Sequence, residues 1–200
     1  MPVTYTNRKG HTYYLCQGLT KTGKLRYYFA RQPKEESPDQ IPEGYKISES
    51  VNGVVSLVKD RPQLIRPQEV ASVETVLARH PKGRDYRVAV QKNQIVVYER
   101  LGPDIDALST IFGKISALQS DAMKMSLREQ LDKTARFNPI LRFILVDPKD
   151  RKFYAERWSY MGDINDWIDI GESGKLEKLA CRLIPKLGTD DFFELFYRPG

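Results

Sequence analysis

From Thr12 to Leu19 the side chains alternate, with Tyr13, Leu15 and Gln17 set against Tyr14 and Cys16. Leu25 to Arg31 repeats the pattern, with Leu25, Tyr27 and Phe29 set against Arg26, Tyr28 and Ala30. Residues two apart share one face of a strand, so both stretches predict strands. Between them Thr20-Lys21-Thr22-Gly23-Lys24 holds a glycine able to take the positive φ of a tight turn. Tyr5 belongs to a preceding strand that turns at Arg8-Lys9-Gly10, which completes a three-stranded antiparallel meander. Residues 32–43 are polar and proline-bearing and predict an exposed loop. Tyr45 to Glu49 and Val54 to Lys59 flank Val51-Asn52-Gly53, a strong hairpin signal.

Helical spacing begins at Pro67, which suits a first turn because its missing N–H costs nothing there. Val70, Val73, Val76 and Leu77 follow at that spacing, and His80-Pro81-Lys82-Gly83 stops the helix. Asp85 to Gln91 and Ile95 to Glu99 form another hairpin around Lys92-Asn93-Gln94. Beyond Gly102-Pro103, Ile105, Leu108, Ile111, Phe112, Ile115 and Leu118 make an apolar stripe. A second helix, capped by Ser120 or Asp121, or the continuation of one bent helix, carries Met123, Leu127 and Leu131, and Pro139 ends this region. Ile140 to Val146 is nearly continuous apolar and predicts a buried strand, with Lys152 to Tyr160 returning beside it. Leu176, Leu179, Ala180, Leu183, Ile184 and Leu187 mark one helix face, and Pro185 ends or kinks that helix. Thr189 caps a last short helix bearing Phe192, Leu195 and Phe196.

This order of elements gives an α+β fold of antiparallel hairpins and meander with packed helices. The expected division is a β-rich half over 1–101 and a mixed helical and hairpin half over 102–200.

Charge changes the picture at one end only. The net charge of +6 is mild. Residues 1–34, however, hold seven bases (Arg8, Lys9, Lys21, Lys24, Arg26, Arg31, Lys34) and no acid. That end carries +7 and the other 166 residues carry −1. Such asymmetry points to an anionic partner, nucleic acid or an acidic protein surface, or to a solvated sheet face. Lysine and arginine neutralise phosphates and release counterions, and aromatic rings on a sheet stack unpaired bases. Half of the aromatics on an alternating strand face the core, so Leu15, Leu25, Tyr27 and Phe29 are read as structural. The candidate nucleic-acid-binding set is Arg8, Lys9, Lys21, Lys24, Arg26, Tyr28 and Arg31.

Three other places hold residues with candidate chemistry. Residues 162–172, from Gly162 to Glu172, hold four acids and no base. They do not fit the order of a calcium loop, and read as a solvated loop anchored by Trp167 or as an acidic docking patch. Asp147 and Glu156, with Lys149 and Lys152 nearby, form a possible metal-dependent nuclease constellation on one hairpin, but the tight E-x-K spacing is missing. His11, His80, Cys16 and Cys181 are too few and too scattered for zinc, and a Cys–His nucleophilic pair would need proximity the sequence does not supply. No phosphate loop, nucleophile elbow or dinucleotide fingerprint is present. No cofactor and no metal is expected. Two distant cysteines make no disulfide framework, no run of about 18 apolar residues marks a membrane helix, and the first ten residues lack an apolar h-region. A cytoplasmic protein with no membrane partner is the expectation.

The opening YTNRKGHTYYL…TKTGK…YYFAR and the closing Asn165-Asp166-Trp167-Ile168-Asp169-Ile170-Gly171 resemble a family of hypothetical bacterial proteins. The resemblance spans most of the chain and brings no activity, cofactor or catalytic residue with it. In texture the basic, aromatic sheet is similar to the three-stranded DNA-binding sheets of integrase arms.

The expected function is therefore that of a bacterial, non-catalytic nucleic-acid-binding protein, acting on DNA or RNA through its N-terminal sheet. A protein-interaction module of a toxin, defence or regulatory assembly is the alternative, and a metal-dependent nuclease is the third.

Overall fold

The computed structural model describes residues 1–102, 121–161 and 164–195. The fold is α+β, with antiparallel sheets of three, two and five strands and four α-helices among the described residues. The strands are β1 (Thr4–Thr6), β2 (Thr12–Leu19), β3 (Leu25–Ala30), β4 (Tyr45–Glu49), β5 (Val55–Lys59), β6 (Tyr86–Gln91), β7 (Gln94–Leu101), β8 (Arg136–Asp147), β9 (Lys152–Met161) and β10 (Ile164–Gly174). The helices are α1 (Pro67–Ala78), α2 (Asp121–Thr134), α3 (Leu176–Leu183) and α4 (Asp190–Phe193). The apolar stripe from Ile105 to Leu118, Gly162-Asp163 and Phe196 lie outside the described residues.

The chain forms two compact units, one of residues 1–61 and 101–136, the other of residues 62–100 and 137–200. Strands β6 and β7 share their sheet with β8, β9 and β10, in the order β10-β9-β8-β7-β6. That sheet runs across the division expected near Gly102.

In the first unit the meander forms as its alternation predicts, in the order β1-β2-β3. The β1–β2 turn is held on the β4–β5 hairpin by side chains outside the candidate binding set. Asn7 is buried; its Nδ2 donates to the Gly53 carbonyl at 2.7 Å, and its Oδ1 accepts from the Lys9 and His11 amides. Glu49 accepts from the Tyr5 hydroxyl and from the Arg8 amide, both at 2.9 Å. The adjacent carboxylate holds the Tyr5 phenol above its usual pKa, chiefly through that hydrogen bond. Gly53 has φ +77°, and a Cβ there would lie 3.2 Å from Asn7 Nδ2. Only glycine meets both demands, the backbone sign and the close approach.

In the second unit, β9 alternates cleanly. Phe153, Ala155, Arg157 and Ser159 are buried; Tyr154, Glu156 and Trp158 are half-buried and Tyr160 is exposed. The core joins Phe143, Leu145, Phe153 and Ala155 to Val73 and Leu77 of α1 and to Leu176, Leu179, Ala180 and Leu183 of α3. Arg157 sits in that apolar setting with Nε donating to the Leu195 carbonyl at 2.5 Å, and burial lowers its pKa. At the start of α1, Glu69 accepts from the Arg66 amide at 2.8 Å and pairs with Arg151, whose φ of +50° turns β8 into β9.

Three expectations are corrected. Pro139 does not end a region; it lies inside β8. The β8–β9 register runs from Leu141 to Asp147, so Pro139 precedes it and its missing N–H forfeits no bond there. The acidic segment is no loop but the strand β10, opposite β9 with a bulge between Asp169 and Glu172, where Gly171 has φ +70°. The bulge breaks the period-2 pattern, which hid the strand. The third concerns Thr189, which stands at the N-cap of α4, while its hydroxyl donates back to the Lys186 carbonyl at 2.6 Å. Pro185 does end its helix, which gives way to a 3-10 turn at Ile184–Lys186.

Candidate nucleic-acid interface

Strands β2 and β3 form a ribbon whose register decides which side chains meet. Leu15 opposes Phe29, Cys16 opposes Tyr28, Gln17 opposes Tyr27, Gly18 opposes Arg26 and Leu19 opposes Leu25. Directly opposed residues share a face. Arg26 and Tyr28 therefore stand on one face with Cys16 and Gly18, as the alternation predicts. The ring of Tyr28 leans over Gly18, where a Cβ would lie 3.5 Å from its Cε1. The Arg26 guanidinium is 5.2 Å from the centroid of that ring and the Lys34 ammonium 5.4 Å. Each such cation–ring contact is worth ~0.5–1 kcal/mol at an exposed site.

Lys34 is absent from the predicted set because it follows the strands in what reads as a loop. Residues 34–38 are loop, as expected, and fold back along β2. The Lys34 amide donates to Ser37 Oγ at 3.0 Å, Glu36 accepts from the Gln17 amide at 3.0 Å, and Pro38 accepts from the Val3 amide at 3.0 Å. These bonds carry the Lys34 side chain to Tyr28. The only advance signal was its membership in the basic cluster.

The hairpin tip is ordered by its own polar groups. Thr20 donates its amide to Lys24 O at 2.8 Å, Gly23 donates to Thr20 O at 2.9 Å, and the Lys24 amide donates to Thr20 Oγ1 at 3.0 Å. Gly23 has φ +75°. Lys21 and Lys24 are exposed there. Arg31 follows β3 and lies 4.9 Å from the ring of Tyr13, which belongs to the face opposite Tyr28.

Two of the predicted residues are turned elsewhere. Arg8 is half-buried and donates from its guanidinium to the Ala135 carbonyl, just past α2, at 3.2 Å. Lys9 is half-buried, its stem beside Gly53. The structure thus groups Arg26, Tyr28 and Lys34, sets Lys21 and Lys24 at the adjoining tip, puts Arg31 on the reverse face, and places Arg8 and Lys9 at the far turn. Leu25 is a further correction. It is 55% exposed rather than structural, because it lies at the tip; Leu15 is fully buried, and Tyr27 and Phe29 are half-buried. Tyr27 meets Tyr45 with ring centroids 6.1 Å apart.

Asp147 and Glu156 are not brought together. Asp147 caps its own turn by accepting from the Lys149 and Asp150 amides, and it pairs in register with Lys152. Glu156 lies four residues further along β9, ~13 Å away at strand rise. It is ion-paired with Arg142 and accepts from the Tyr154 hydroxyl at 3.0 Å. Arg142 in turn covers the Trp167 ring at 4.3 Å, and Trp167 meets Trp158 edge-on at 5.1 Å. This aromatic cluster on β8–β10 escaped the sequence because its members come from three strands.

His80 and Cys181 do line one cleft of about 250 Å³, with Arg79, Val76 and Ile184. Both imidazole nitrogens are already engaged. Nδ1 accepts from the Lys82 amide at 3.1 Å, so Nε2 carries the proton and donates to the Leu187 carbonyl at 3.2 Å. The one basic lone pair, on Nδ1, is thus taken and does not activate the thiol. Among the described residues no three of His, Cys, Asp and Glu are grouped to hold a metal ion. Nor is any described helix long and apolar enough to cross a membrane.

Comparison with protein-family models, with curated proteins and with solved structures finds no match to this chain.

Proposed function

We propose that this protein binds nucleic acid, without catalysis, through the β2–β3 ribbon. The observation that carries this reading is the gathering of the Arg26 and Lys34 cations within 5.4 Å of the Tyr28 ring centroid. Phosphates would be neutralised by Arg26, Lys34, Lys21 and Lys24, with the half-buried Tyr28 ring holding the first two together. The +7 charge of the first 34 residues draws a polyanion toward this end from a distance. A cytoplasmic location belongs with the reading, and the two cysteines, both unbonded, fit it.

The test is fluorescence anisotropy with short single- and double-stranded DNA and RNA across a salt series. Wild type is expected to bind with a steep salt dependence. The Lys21→Glu, Lys24→Glu, Arg26→Glu variant is expected to lose most of the affinity and to flatten the slope by about 3. Binding that ignores salt, or that survives the triple reversal, contradicts the reading.

A further inference from the structure

The tip of the ribbon holds an apolar pair that the phosphate-binding groups do not explain. Leu19 is 68% exposed and Leu25 55% exposed. They are cross-strand partners, the last pair before the turn, which puts their Cβ atoms ~5 Å apart. Lys21 and Lys24 follow within the turn, while Arg26, the next residue on β3, stands on the opposite face with Gly18. The ribbon also outruns its neighbours. Strand β1 pairs with β2 only from Thr12 to Tyr14, and the Leu15 and Gln17 amides are taken by Val3 and Glu36. Past Gln17, among the described residues, it continues as two strands alone. The hydrogen bonds through Thr20 and the Gly23 φ keep this end in one shape.

Two leucines side by side on a stiff basic finger combine two devices. Lysine and arginine bring the finger to a phosphate backbone; an apolar wedge then enters between base steps. The charge of the turn argues for this occupant over an apolar protein pocket, in which Lys21 and Lys24 would have to be stripped of water. B-form DNA offers the partly unstackable minor-groove step that such a wedge uses. A-form RNA presents a wide, shallow minor groove in its place.

We infer that the ligand of the ribbon is double-stranded DNA, and that Leu19 and Leu25 wedge into a base step and bend the duplex. The inference rests on the nucleic-acid reading above and names its substrate class. In it, Lys21 and Lys24 at the tip bring the leucines to the phosphate backbone, Arg26 adds charge from the reverse face, and the leucines supply the deformation.

Energy transfer between dyes at the two ends of a duplex of about 20–30 base pairs reads the bend, and anisotropy on the same duplex reads the affinity. Wild type is expected to shorten the end-to-end distance as a kink of at least about 20° does. The Leu19→Ala, Leu25→Ala variant, altered only at exposed positions, is expected to melt at the wild-type temperature and to keep the salt slope while the duplex stays straight. The Lys21→Glu, Lys24→Glu, Arg26→Glu variant is expected to lose binding and bend together. If wild type binds and leaves the duplex straight, or bends it equally without the leucines, the wedge is overturned and the nucleic-acid reading stands. Binding to single strands alone has the same consequence. No binding to any nucleic acid overturns both. Leucine-dependent sedimentation with phosphatidylglycerol vesicles, or leucine-dependent dimers, in place of duplex bending overturns the wedge in favour of a lipid surface or a second copy.

Discussion

At the residue scale, the arrangement depends on a few polar side chains that fasten the β1–β2 turn. Asn7 makes three hydrogen bonds from a site only 4% exposed, one of them to Gly53. Replacing it leaves buried backbone groups without partners. Asn7→Ala is expected to cost ~1–3 kcal/mol in urea unfolding. A neutral result would mean that the turn is held by something other than this amide. Glu99 gives a pH signature. Burial raises its pKa first of all, partly offset by the hydrogen bond from the Tyr86 hydroxyl at 3.3 Å, and the Tyr86 phenol is itself pushed up, again mainly by burial. With the folded-state pKa raised, Glu99 favours the fold below its unfolded pKa, and that contribution is lost as pH rises through the folded value. Gln at 99 does not titrate. The melting temperature of Glu99→Gln relative to wild type is therefore expected to climb between pH 4 and pH 7. A constant difference across that range would contradict the assignment.

Among elements, the ribbon and the β4–β5 hairpin were the most legible. Their alternation was uninterrupted and each turn carried a glycine where φ had to be positive, so the strands around Gly23 and Gly53 fell where the sequence put them. The faces of β3 followed as well, which is why Arg26 and Tyr28 were legible as neighbours. What stayed hidden needed contacts between distant segments. Lys34 reaches Tyr28 only because residues 34–38 return along β2, and local composition says nothing of that return. Leu25 looked like core because alternation gives a face without saying how far the covering element extends. Strand β10 was masked by its acids and its bulge, and Trp167 turned out to pack on Trp158 and Arg142. The fit of hairpin to turn makes a further prediction. Gly53→Ala imposes a side chain at φ +77° and within 3.2 Å of Asn7. It is expected to destabilise by more than about 1 kcal/mol, read as a lower urea midpoint. Gly10→Ala, at a like φ but in open space, is expected to cost less. Equal losses at both positions would mean that backbone strain alone, without the Asn7 contact, sets the cost.

For the molecule as a whole, the larger buried core and the proposed binding surface fall in different units. The second unit concentrates the large buried side chains, Phe143, Phe153, Leu179 and Leu183 among them. Phe143→Ala is expected to cost ~3–5 kcal/mol in thermal or urea unfolding; a loss below ~1 kcal/mol would contradict its place in the core. The first unit carries the +7 end of the chain, and with it the ribbon. Amide hydrogen exchange with and without a saturating 20–30 base-pair duplex, a length of about two to three helical turns, tests that assignment most directly. The account predicts slowed exchange confined to residues 12–37, strongest from Gly18 to Tyr28. Protection centred on β8–β10, or none at all under conditions where binding is saturated, would contradict it.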